Sequence, residues 1–295
     1  MAVVAHRGKK LGNGLDELLR LLTGPDVEDL FWYEVPKSRL APKQVRRALK
    51  KKPDVLVVWG GDGMMQRCAD ALVGHDVPVA VIPAGTANLL ARNLGIPIDL
   101  PAAVRIALDG ARRRLDLGRL GGEHFAVMAG LGFDAEMIDG ADGPVKRRLG
   151  RLAYLWSGAR SVGTEPAHVK IKLDGAPWFA GDATCVLVAN VAKVFGDIEV
   201  FSDATPDDGY LDVGVTTART PLEWAGALSS IGVGTQERSP YLRLARAKRI
   251  SVRLRTPLRY ELDGGSRGKV TRAKFRVVPA AVTVCVPRPD QVERA

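Results

Sequence analysis

The amino-acid sequence predicts an α/β domain built on a parallel sheet, followed by a domain of mostly antiparallel strands. Over residues 1–120, short apolar runs alternate with segments of helical spacing, which is typical of a parallel sheet covered by helices on both faces. After Arg114, short segments with alternating apolar residues dominate, and these indicate an antiparallel β-sandwich or barrel. The length of 295 residues suits two domains, each with a core of its own.

The elements of the first domain can be followed along the chain. Residues 54–59 (DVLVVW) are a β-branched run that ends in glycines, as a buried parallel strand does. The elements predicted after it are a helix at 64–73, a strand at 77–82, a helix at 86–94 and a helix from Asp99 to Gly110. Gly95 stands where a left-handed C-terminal cap belongs, with Pro97 just beyond it, and Asp99 is a typical N-cap.

The second domain is predicted from shorter signals. Its alternating segments lie at 124–129, 169–173, 184–191, 210–216 and 249–255. The pair Asp174-Gly175 predicts a hairpin turn between two of its strands. Helices are expected at about 144–163 and about 221–231, and the latter opens on Thr220-Pro221-Leu222-Glu223, a capping box with proline at the first helical position. A final alternating stretch, 275–286, suits the end of either domain.

Composition and charge limit the function classes. With 46% hydrophobic and 26% charged residues, the chain has the composition of a globular protein and not of a disordered one. No apolar run approaches the roughly 20 residues of a membrane-spanning helix. Three cysteines, far apart, make neither a disulfide framework nor a zinc site, so we expect a cytoplasmic protein. The net charge of +10 favours anionic partners such as nucleic acid, acidic lipid surfaces or phosphorylated ligands.

The most specific motif is Gly60-Gly61-Asp62-Gly63, which lies between a predicted strand and a predicted helix. Glycines at such a point let the backbone turn sharply and approach a ligand, and the amides of the helix start can bind phosphate. The carboxylate of Asp62 would repel a phosphate, so it fits better as a group that orients a metal ion or a neighbouring loop. A plain tight turn is the structural alternative.

A second loop, Pro83-Ala84-Gly85-Thr86-Ala87-Asn88, follows the next strand. It again combines a glycine with small hydroxyl and amide side chains at a helix start, although Thr86 by itself could be a simple N-cap. Adjacent strand ends that both carry such loops build one crevice, which is where open α/β sheets bind ligands. The two loops together therefore favour a ligand site.

Two acidic segments lie in the second half of the chain. The segment Thr205–Asp212 (TPDDGYLD) is either a turn with solvated acids or a site for a hard cation such as Mg²⁺. The segment Glu261-Leu262-Asp263-Gly264-Gly265 is either a hairpin turn or a place where a carboxylate accepts a hydroxyl proton.

Taken in order, these pieces resemble the diacylglycerol kinase catalytic family. That family includes bacterial lipid kinases, diacylglycerol kinases and sphingosine kinases, and NAD kinases are its distant relatives. The similar stretches lie between residues 54 and 265 and are VVWGGDGMMQRCADAL, PVAVIPAGTANLLARNLGIP, MAGLGFDAEMI, ANVAKVFGDIEVFSDATPDDGYLDV and YELDGG.

The resemblance implies a fold and an activity. It implies an NAD-kinase-like α/β domain at 1–118 that binds ATP, a β-sandwich domain at 119–274 that binds the lipid, and a strand at about 275–295 that returns to the first domain. The implied activity is transfer of the γ-phosphate of ATP, with Mg²⁺, to a hydroxyl of diacylglycerol or a similar lipid.

The resemblance also assigns roles to individual residues. Those that match the nucleotide loops are Gly60, Gly61, Asp62, Gly63, Met64, Met65, Gln66, Gly85, Thr86 and Asn88. Those that match a structural Mg²⁺ site are Thr205, Asp208 and Tyr210. Asp263 matches the acid of an Asp-Gly-Glu motif proposed for catalysis, and we expect Asp62 to be the second catalytic acid.

The sequence departs from the family pattern at several positions. Met64 stands where the family usually has threonine, and Gln66 where it commonly has asparagine. The N-terminal Asn-Pro strand end is replaced by Ala5-His6-Arg7-Gly8. The glutamate of Asp-Gly-Glu is Gly265, which removes one carboxylate from the implied active site.

Basic segments suggest where the protein meets its partners. From Arg243 to Arg259 there are seven Lys or Arg residues and no acid, and within 249–255 apolar and basic residues alternate, which predicts one basic face on a strand. A second basic and aromatic segment, 146–156, lies on the predicted helix at 144–163. We therefore expect peripheral contact with an anionic membrane, although solvated faces over an ordinary core are the structural alternative.

Alternative functions follow from the same features. A kinase of a soluble hydroxyl substrate, such as NAD or a sugar derivative, is the nearest, and a non-catalytic binder of nucleotide or anionic lipid is favoured by Gly265 and Met64. No nucleic-acid partner is expected, because no nucleic-acid-binding motif accompanies the positive charge. A homodimer through sandwich edges is left open.

Overall fold

The computed structural model describes residues 1–24, 27–132 and 166–292. The chain divides into two compact units. The first unit comprises Met1–Leu117 and the chain from Pro279 onward, and the second unit comprises Gly118–Val278. The helix predicted at about 144–163, with its basic and aromatic segment, and the end of the stretch MAGLGFDAEMI lie outside the described residues.

The described elements fall into an α/β half and a β-rich half. Up to residue 120 they are β1 (Ala2–His6), α1 (Leu15–Leu22), β2 (Phe31–Val35), α2 (Ala41–Leu49), β3 (Leu56–Gly60), α3 (Asp62–Leu72), β4 (Val79–Pro83), α4 (Leu89–Asn93), α5 (Leu100–Asp109) and β5 (Ala111–Leu120). Further along the chain they are β6 (Glu123–Phe125), β7 (Met128–Leu131), β8 (Ala167–Leu173), β9 (Ala176–Ala183), β10 (Cys185–Ala189), β11 (Lys193–Phe195), β12 (Ile198–Glu199), β13 (Leu211–Thr216), α6 (Pro221–Gly232), β14 (Leu242–Ala247), β15 (Arg249–Leu262), β16 (Gly265–Val286) and α7 (Pro289–Val292).

The first unit is built on a parallel sheet. Its strands follow the order β2–β1–β3–β4, and the last part of β16 joins in parallel through Val284, opposite Val79 of β4. Every residue of β3 and β4 is buried, which explains their continuous apolar runs. Helices pack on this sheet in pairs, α1 with α5 and α2 with α3. Since Gly60 pairs with Pro83, the loops that follow β3 and β4 start at the same edge.

Local signals in the first unit were accurate at Gly95 and at Asp99 and less so at the starts of α3 and α4. Asp99 caps α5 by accepting a hydrogen bond from the amide of Ala102 at 2.9 Å, and Gly95 has φ +68°, as predicted. Helix α3 begins at Asp62 instead of residue 64, because Gly61 acts as its N-cap. Helix α4 begins at Leu89 instead of Thr86, because Asn88 takes a left-handed conformation at φ +50° and ends the loop there.

The second unit is a sandwich of antiparallel strands. One layer has the order β14–β13–β10–β7 and ends on the second half of β15. The other has the order β9–β8–β15–β16 and uses the first half of β15. The apolar core takes side chains from both layers, for example Val188 and Val213 from one and Ile171 and Val252 from the other. This arrangement is the predicted sandwich and not a barrel.

Strand β15 serves both layers because its pairing is interrupted. The register with β16 shifts between Arg253 and Leu258, where Pro257 has no amide to donate. The strand predicted at 249–255 therefore continues to Leu262. The segment predicted as one strand at 124–129 is instead two, β6 and β7, because the amides between them bind a side chain.

Two turn signals in the second unit are confirmed. Asp174 and Gly175, at φ +48° and +97°, connect β8 to β9. Thr220 and Glu223 form the predicted capping box at the start of α6. Within the described part of the chain, no helix has both the length and the apolar character needed to cross a bilayer.

Candidate functional site

Two glycine-containing loops meet at the edge of the first unit's sheet. A Cβ atom built on Gly85 would lie 2.3 Å from the Cα of Gly61, and one built on Gly61 would lie 2.9 Å from the Cα of Gly85. Real Cβ atoms do not come this close, so both positions require glycine. The backbones of the two loops therefore touch directly, because glycine at both positions lets main chain approach main chain.

The side chain of Asn88 holds the second loop in shape. Its Oδ1 accepts a hydrogen bond from the amide of Gly85 at 2.8 Å, and its Nδ2 donates to the carbonyls of Pro83 at 3.0 Å and Gly85 at 2.9 Å. Asn88 is almost completely buried, and asparagine tolerates the left-handed conformation that the residue adopts. The predicted binding residue Asn88 thus shapes the loop with its side chain.

Asp62 links the two loops. Its Oδ1 accepts a hydrogen bond from the amide of Leu90 at 3.0 Å, in the first turn of α4. Burial raises the pKa of the Asp62 carboxyl, and the hydrogen bond from Leu90 partly offsets that rise. Of the two roles that the sequence left open, these contacts favour orientation of a neighbouring loop. The assignment of Asp62 as a catalytic acid stays a prediction.

The other residues predicted to bind nucleotide fall into two groups. The side chains of Met64, Met65 and Gln66, near the start of α3, are buried and do not form part of the loop surface. Thr86, in contrast, is exposed on the second loop. The amides of Met64 and Met65 both donate to the carbonyl of Gly61, at 2.9 and 3.0 Å. The helix start that follows Gly61 has the polarity that attracts anions.

In the second unit, Asp263 lies in the tight turn between β15 and β16. Its φ of +45° and that of Gly264, +76°, are those of a two-residue hairpin. The carboxylate accepts three main-chain hydrogen bonds, from Ala126 at 2.8 Å and from Val127 and Met128 at 2.9 Å each. Asp263 is only 4% exposed. It therefore fastens the hairpin to the connection between β6 and β7, and most of its acceptor positions are occupied.

Glu261 precedes Asp263 by two residues. It is 1% exposed, and among the described residues neither of its carboxylate oxygens has a hydrogen-bond partner. Burial, with a smaller contribution from the charge of Asp263, raises the pKa of Glu261 to about 7. Glu261 lies in the motif predicted from the sequence, where the chemistry was assigned to Asp263. Residues two positions apart along a strand point to the same face, and this spacing between Glu261 and Asp263 was the signal that could have drawn attention to Glu261.

The position where the family has a glutamate is open to substitution. Gly265 does not have a positive φ, and a Cβ there would meet the Nη1 of Arg267 at 2.7 Å, which is the movable end of a long side chain. Arg267 itself is held by Glu123, with an Nη2–Oε2 distance of 2.8 Å. The backbone contact of such a Cβ, 3.2 Å to the carbonyl oxygen of Leu262, needs only a small shift, and the absence of the glutamate leaves Glu261 and Asp263 as the acids of this hairpin.

The segment predicted to hold Mg²⁺ is occupied by an arginine. Asp208 accepts a hydrogen bond from the amide of Tyr210 at 2.9 Å through Oδ1, and its Oδ2 forms an ion pair with Arg246. The guanidinium of Arg246 also lies 5.1 Å from the ring centre of Tyr210. Thr205, three residues before Asp208 in the sequence, is exposed.

A cation is therefore already present where the metal was expected. Burial raises the pKa of the neighbouring Asp212 to about 6, and the charge of Arg246 offsets part of the rise. In the described ranges, no group of three or more His, Cys, Asp or Glu side chains is arranged to hold a metal ion. In this arrangement Arg246 neutralises the carboxylate of Asp208, and a Mg²⁺ site at Thr205, Asp208 and Tyr210 stays a prediction.

Comparison with known proteins identifies the family. Residues 8–120 match the diacylglycerol kinase catalytic domain, and residues 127–286 match the YegS C-terminal NAD kinase beta sandwich-like domain. A Pseudomonas fluorescens protein named "Probable lipid kinase YegS-like" is 32% identical over 251 residues, which cover 84% of this chain and 82% of that protein. A Mycobacterium tuberculosis protein named diacylglycerol kinase is 29% identical over 272 residues, covering 90% and 86% of the two chains.

Solved structures agree on the fold. A candidate diacylglycerol kinase of Bacillus anthracis has a TM-score of 0.80 at 23% identity, with 98% of this chain and 97% of that chain covered. An NAD kinase of Archaeoglobus fulgidus in complex with ATP has a TM-score of 0.53 at 11% identity, covering 99% and 96%. The predicted NAD-kinase-like α/β half and β-sandwich half are thus confirmed. The chain belongs to the diacylglycerol kinase catalytic family, with the YegS-like lipid kinases, and is a phosphotransferase by family.

Proposed function

We propose that this protein transfers the γ-phosphate of ATP to a hydroxyl of diacylglycerol or a similar lipid at a membrane surface. The observation that carries the proposal is the main-chain contact between Gly61 and Gly85, which joins the two glycine-containing loops beside the start of α3. The names of the relatives support a lipid as the acceptor.

The first unit would bind the phosphates of the nucleotide. Backbone amides at the start of α3 and the exposed hydroxyl of Thr86 are suitable donors for phosphate oxygens. Asp62 and Asn88 act as positioning residues that hold the two loops together. When bound, ATP supplies the phosphoryl group, and we expect Mg²⁺ to accompany its phosphates.

The second unit would supply the acceptor of the hydroxyl proton. Glu261 is the better candidate, because its oxygens are unpartnered among the described residues and its pKa of about 7 suits proton transfer near neutral pH. Because Glu261 is buried, we expect the proton to reach it through one bound water. Asp263 would position this hairpin through its three amide contacts.

The proposal is tested by phosphate transfer from labelled ATP to mixed micelles that contain diacylglycerol, monoacylglycerol, ceramide or sphingosine. We expect label in one of these lipids and Mg²⁺ dependence of the transfer. Label in NAD or a sugar derivative offered in solution, with none in a lipid, would overturn the lipid assignment. ATP binding without any transfer would indicate the non-catalytic binder that the loss of glutamate at Gly265 suggests.

Substitution of Gly85 by alanine tests the nucleotide site. The added methyl group would lie 2.3 Å from the Cα of Gly61 and 2.6 Å from the Oδ1 of Asn88, so the two loops must separate. We expect ATP affinity, measured by titration calorimetry, to fall at least about tenfold. Gly24→Ala in the same unit is the matched control, because its Cβ would meet no atom of the described residues within 4 Å. Equal ATP affinity in both variants would contradict the assignment of these loops.

A further inference from the structure

The outer surface of the β9–β8–β15–β16 layer carries a two-dimensional array of positive charge. The apolar side chains of β8, β15 and β16 point into the core, and the residues between them are exposed. We call six exposed residues of this layer the basic face: Lys170, Lys172, Arg253, Arg272, Lys274 and Arg276.

The strand register brings these charges together in rows. Arg253 of β15 lies opposite Lys170 on one side and Arg272 on the other. In the next row, Ser251 lies between Lys172 and Lys274. Like charges directly opposite each other destabilise a sheet. Such an arrangement is unfavourable for folding alone and becomes favourable when an external anion neutralises it.

The protein itself supplies little neutralisation. Among the described residues, no ion pair involves any member of the basic face. The nearby acids are engaged elsewhere: Asp174 with Arg249 at 3.9 Å, and Asp182 with Arg219 at 3.1 Å. The charge of the basic face is therefore available to a partner.

At one edge of the basic face, basic side chains surround an open depression. Arg119, Gly121, Lys274 and Arg276 line a volume of about 350 Å³. The side chain of Arg119 is held in place by a hydrogen bond of 2.9 Å from its Nε to the carbonyl of Gly121. The depression has the size and the charge to receive a phosphate group that projects from a larger anionic surface.

We propose that the basic face docks the protein on the surface of an anionic lipid bilayer. Side chains on one face of a sheet are spaced roughly 5 Å across the strands and roughly 7 Å along them, so the array can meet many headgroups of a flat surface at once. Opposite Lys170 and Lys172, the edge strand β9 presents only Ala180 and Pro177, which are too small to insert deeply into lipid and offer no ring for single-stranded nucleic acid to stack on. The contact is thus electrostatic and lies at the headgroup level.

The test is sedimentation of the full-length protein with phosphatidylcholine vesicles prepared with and without phosphatidylglycerol. The wild type is expected to bind only the anionic vesicles, less tightly as salt increases. Lys170→Thr/Arg253→Thr/Arg272→Thr should weaken this binding roughly 100-fold. The matched control Lys43→Gln/Arg46→Gln/Lys50→Gln removes the same charge from exposed positions on and beside α2 and should change it only a few-fold.

Folding and catalysis are monitored separately. Relief of the facing charges should leave the melting temperature of the Lys170/Arg253/Arg272 variant unchanged or higher. The docking inference rests on the proposed function only in that a lipid substrate explains why the protein would bind a membrane. The vesicle experiment itself does not depend on catalysis. Lipid phosphorylation in uncharged micelles should be the same in the wild type and this variant, so a failure of the kinase proposal and a failure of docking give different results.

Three results would overturn the inference. Wild-type binding by the Lys170/Arg253/Arg272 variant would show that the lipid contact lies elsewhere. Equal weakening in both triple variants would show a dependence on net charge alone. Tighter binding of duplex DNA than of anionic vesicles, lost in the Lys170/Arg253/Arg272 variant, would assign the basic face to nucleic acid.

Discussion

Replacement of Asp263 by alanine should lower the free energy of unfolding by roughly 3–5 kcal/mol. The change leaves the amides of Ala126, Val127 and Met128 without their acceptor in a place that water does not reach. An unsatisfied buried donor costs roughly 1–3 kcal/mol. Denaturant titration followed by circular dichroism measures the loss. Phosphoryl transfer should decrease as well, since the hairpin that carries Glu261 loses its attachment.

The chain contains a matched control for this prediction. Asp174 occupies an equivalent turn, with φ +48° followed by a glycine at +97°, and it accepts hydrogen bonds from the amides of Lys248 at 3.3 Å and Arg249 at 2.8 Å. Because Asp174 is exposed, water can replace its carboxylate, and Asp174→Ala should lose no more than roughly 1 kcal/mol. A loss of equal size in the two variants would mean that the left-handed backbone, and not burial of the amides, determines the effect.

Replacement of Glu261 by glutamine should reduce kcat for phosphoryl transfer roughly 100- to 10,000-fold. The amide cannot accept the hydroxyl proton and nearly preserves the size of the side chain. In the wild type, kcat should rise with pH through about 7, the pKa of Glu261, and the residual activity of the variant should lack this rise. Steady-state kinetics across this pH range provide the measurement, and Glu237→Gln, at an exposed position, is the control.

The same variant has an opposite effect on stability. Burial raises the pKa of Glu261 from 4.5 to about 7, so the folded state favours the protonated acid. Its contribution to stability is therefore complete below about pH 4.5 and is lost as the pH rises through about 7. At mildly alkaline pH, Glu261→Gln should be more stable than the wild type by up to roughly 3 kcal/mol. A gain in stability with unchanged activity would show that Glu261 is a buried acid without a catalytic role.

Much of the local structure was predictable because its causes lie within a few residues of each other. The continuous apolar run before Gly60 indicated a strand buried on both faces, and the structure shows β3 in that environment. The cap at Asp99 and the capping box at Thr220 depend on side chain to main chain contacts over three residues or fewer, and the hairpin at Asp174-Gly175 depends on the left-handed backbone of two consecutive residues. Such contacts form in the same way wherever the segment is placed.

The sequence predicted which residues belong to the candidate sites better than it predicted which atoms those residues contact. The sequence indicated that the loops after two neighbouring strands share an edge, and the structure places Gly61 against Gly85 there. It did not indicate that Asp263 binds the amides of a connection 135 to 137 residues away, or that Arg246 takes the carboxylate of Asp208. Partners so distant in sequence leave no periodicity that a single chain can reveal.

The sequence by itself determined the two fold classes and the order of the elements from the strand at 54–59 to the helix that ends at Gly110, because hydrophobic period and backbone conformation are local properties. Only the tertiary structure decided which acids have partners and which do not, since that depends on burial and on strands paired across the fold. The basic face is the clearest example. The alternation on β15 was visible in the sequence, but its rows exist because β8 and β16 pair on either side of it in one particular register.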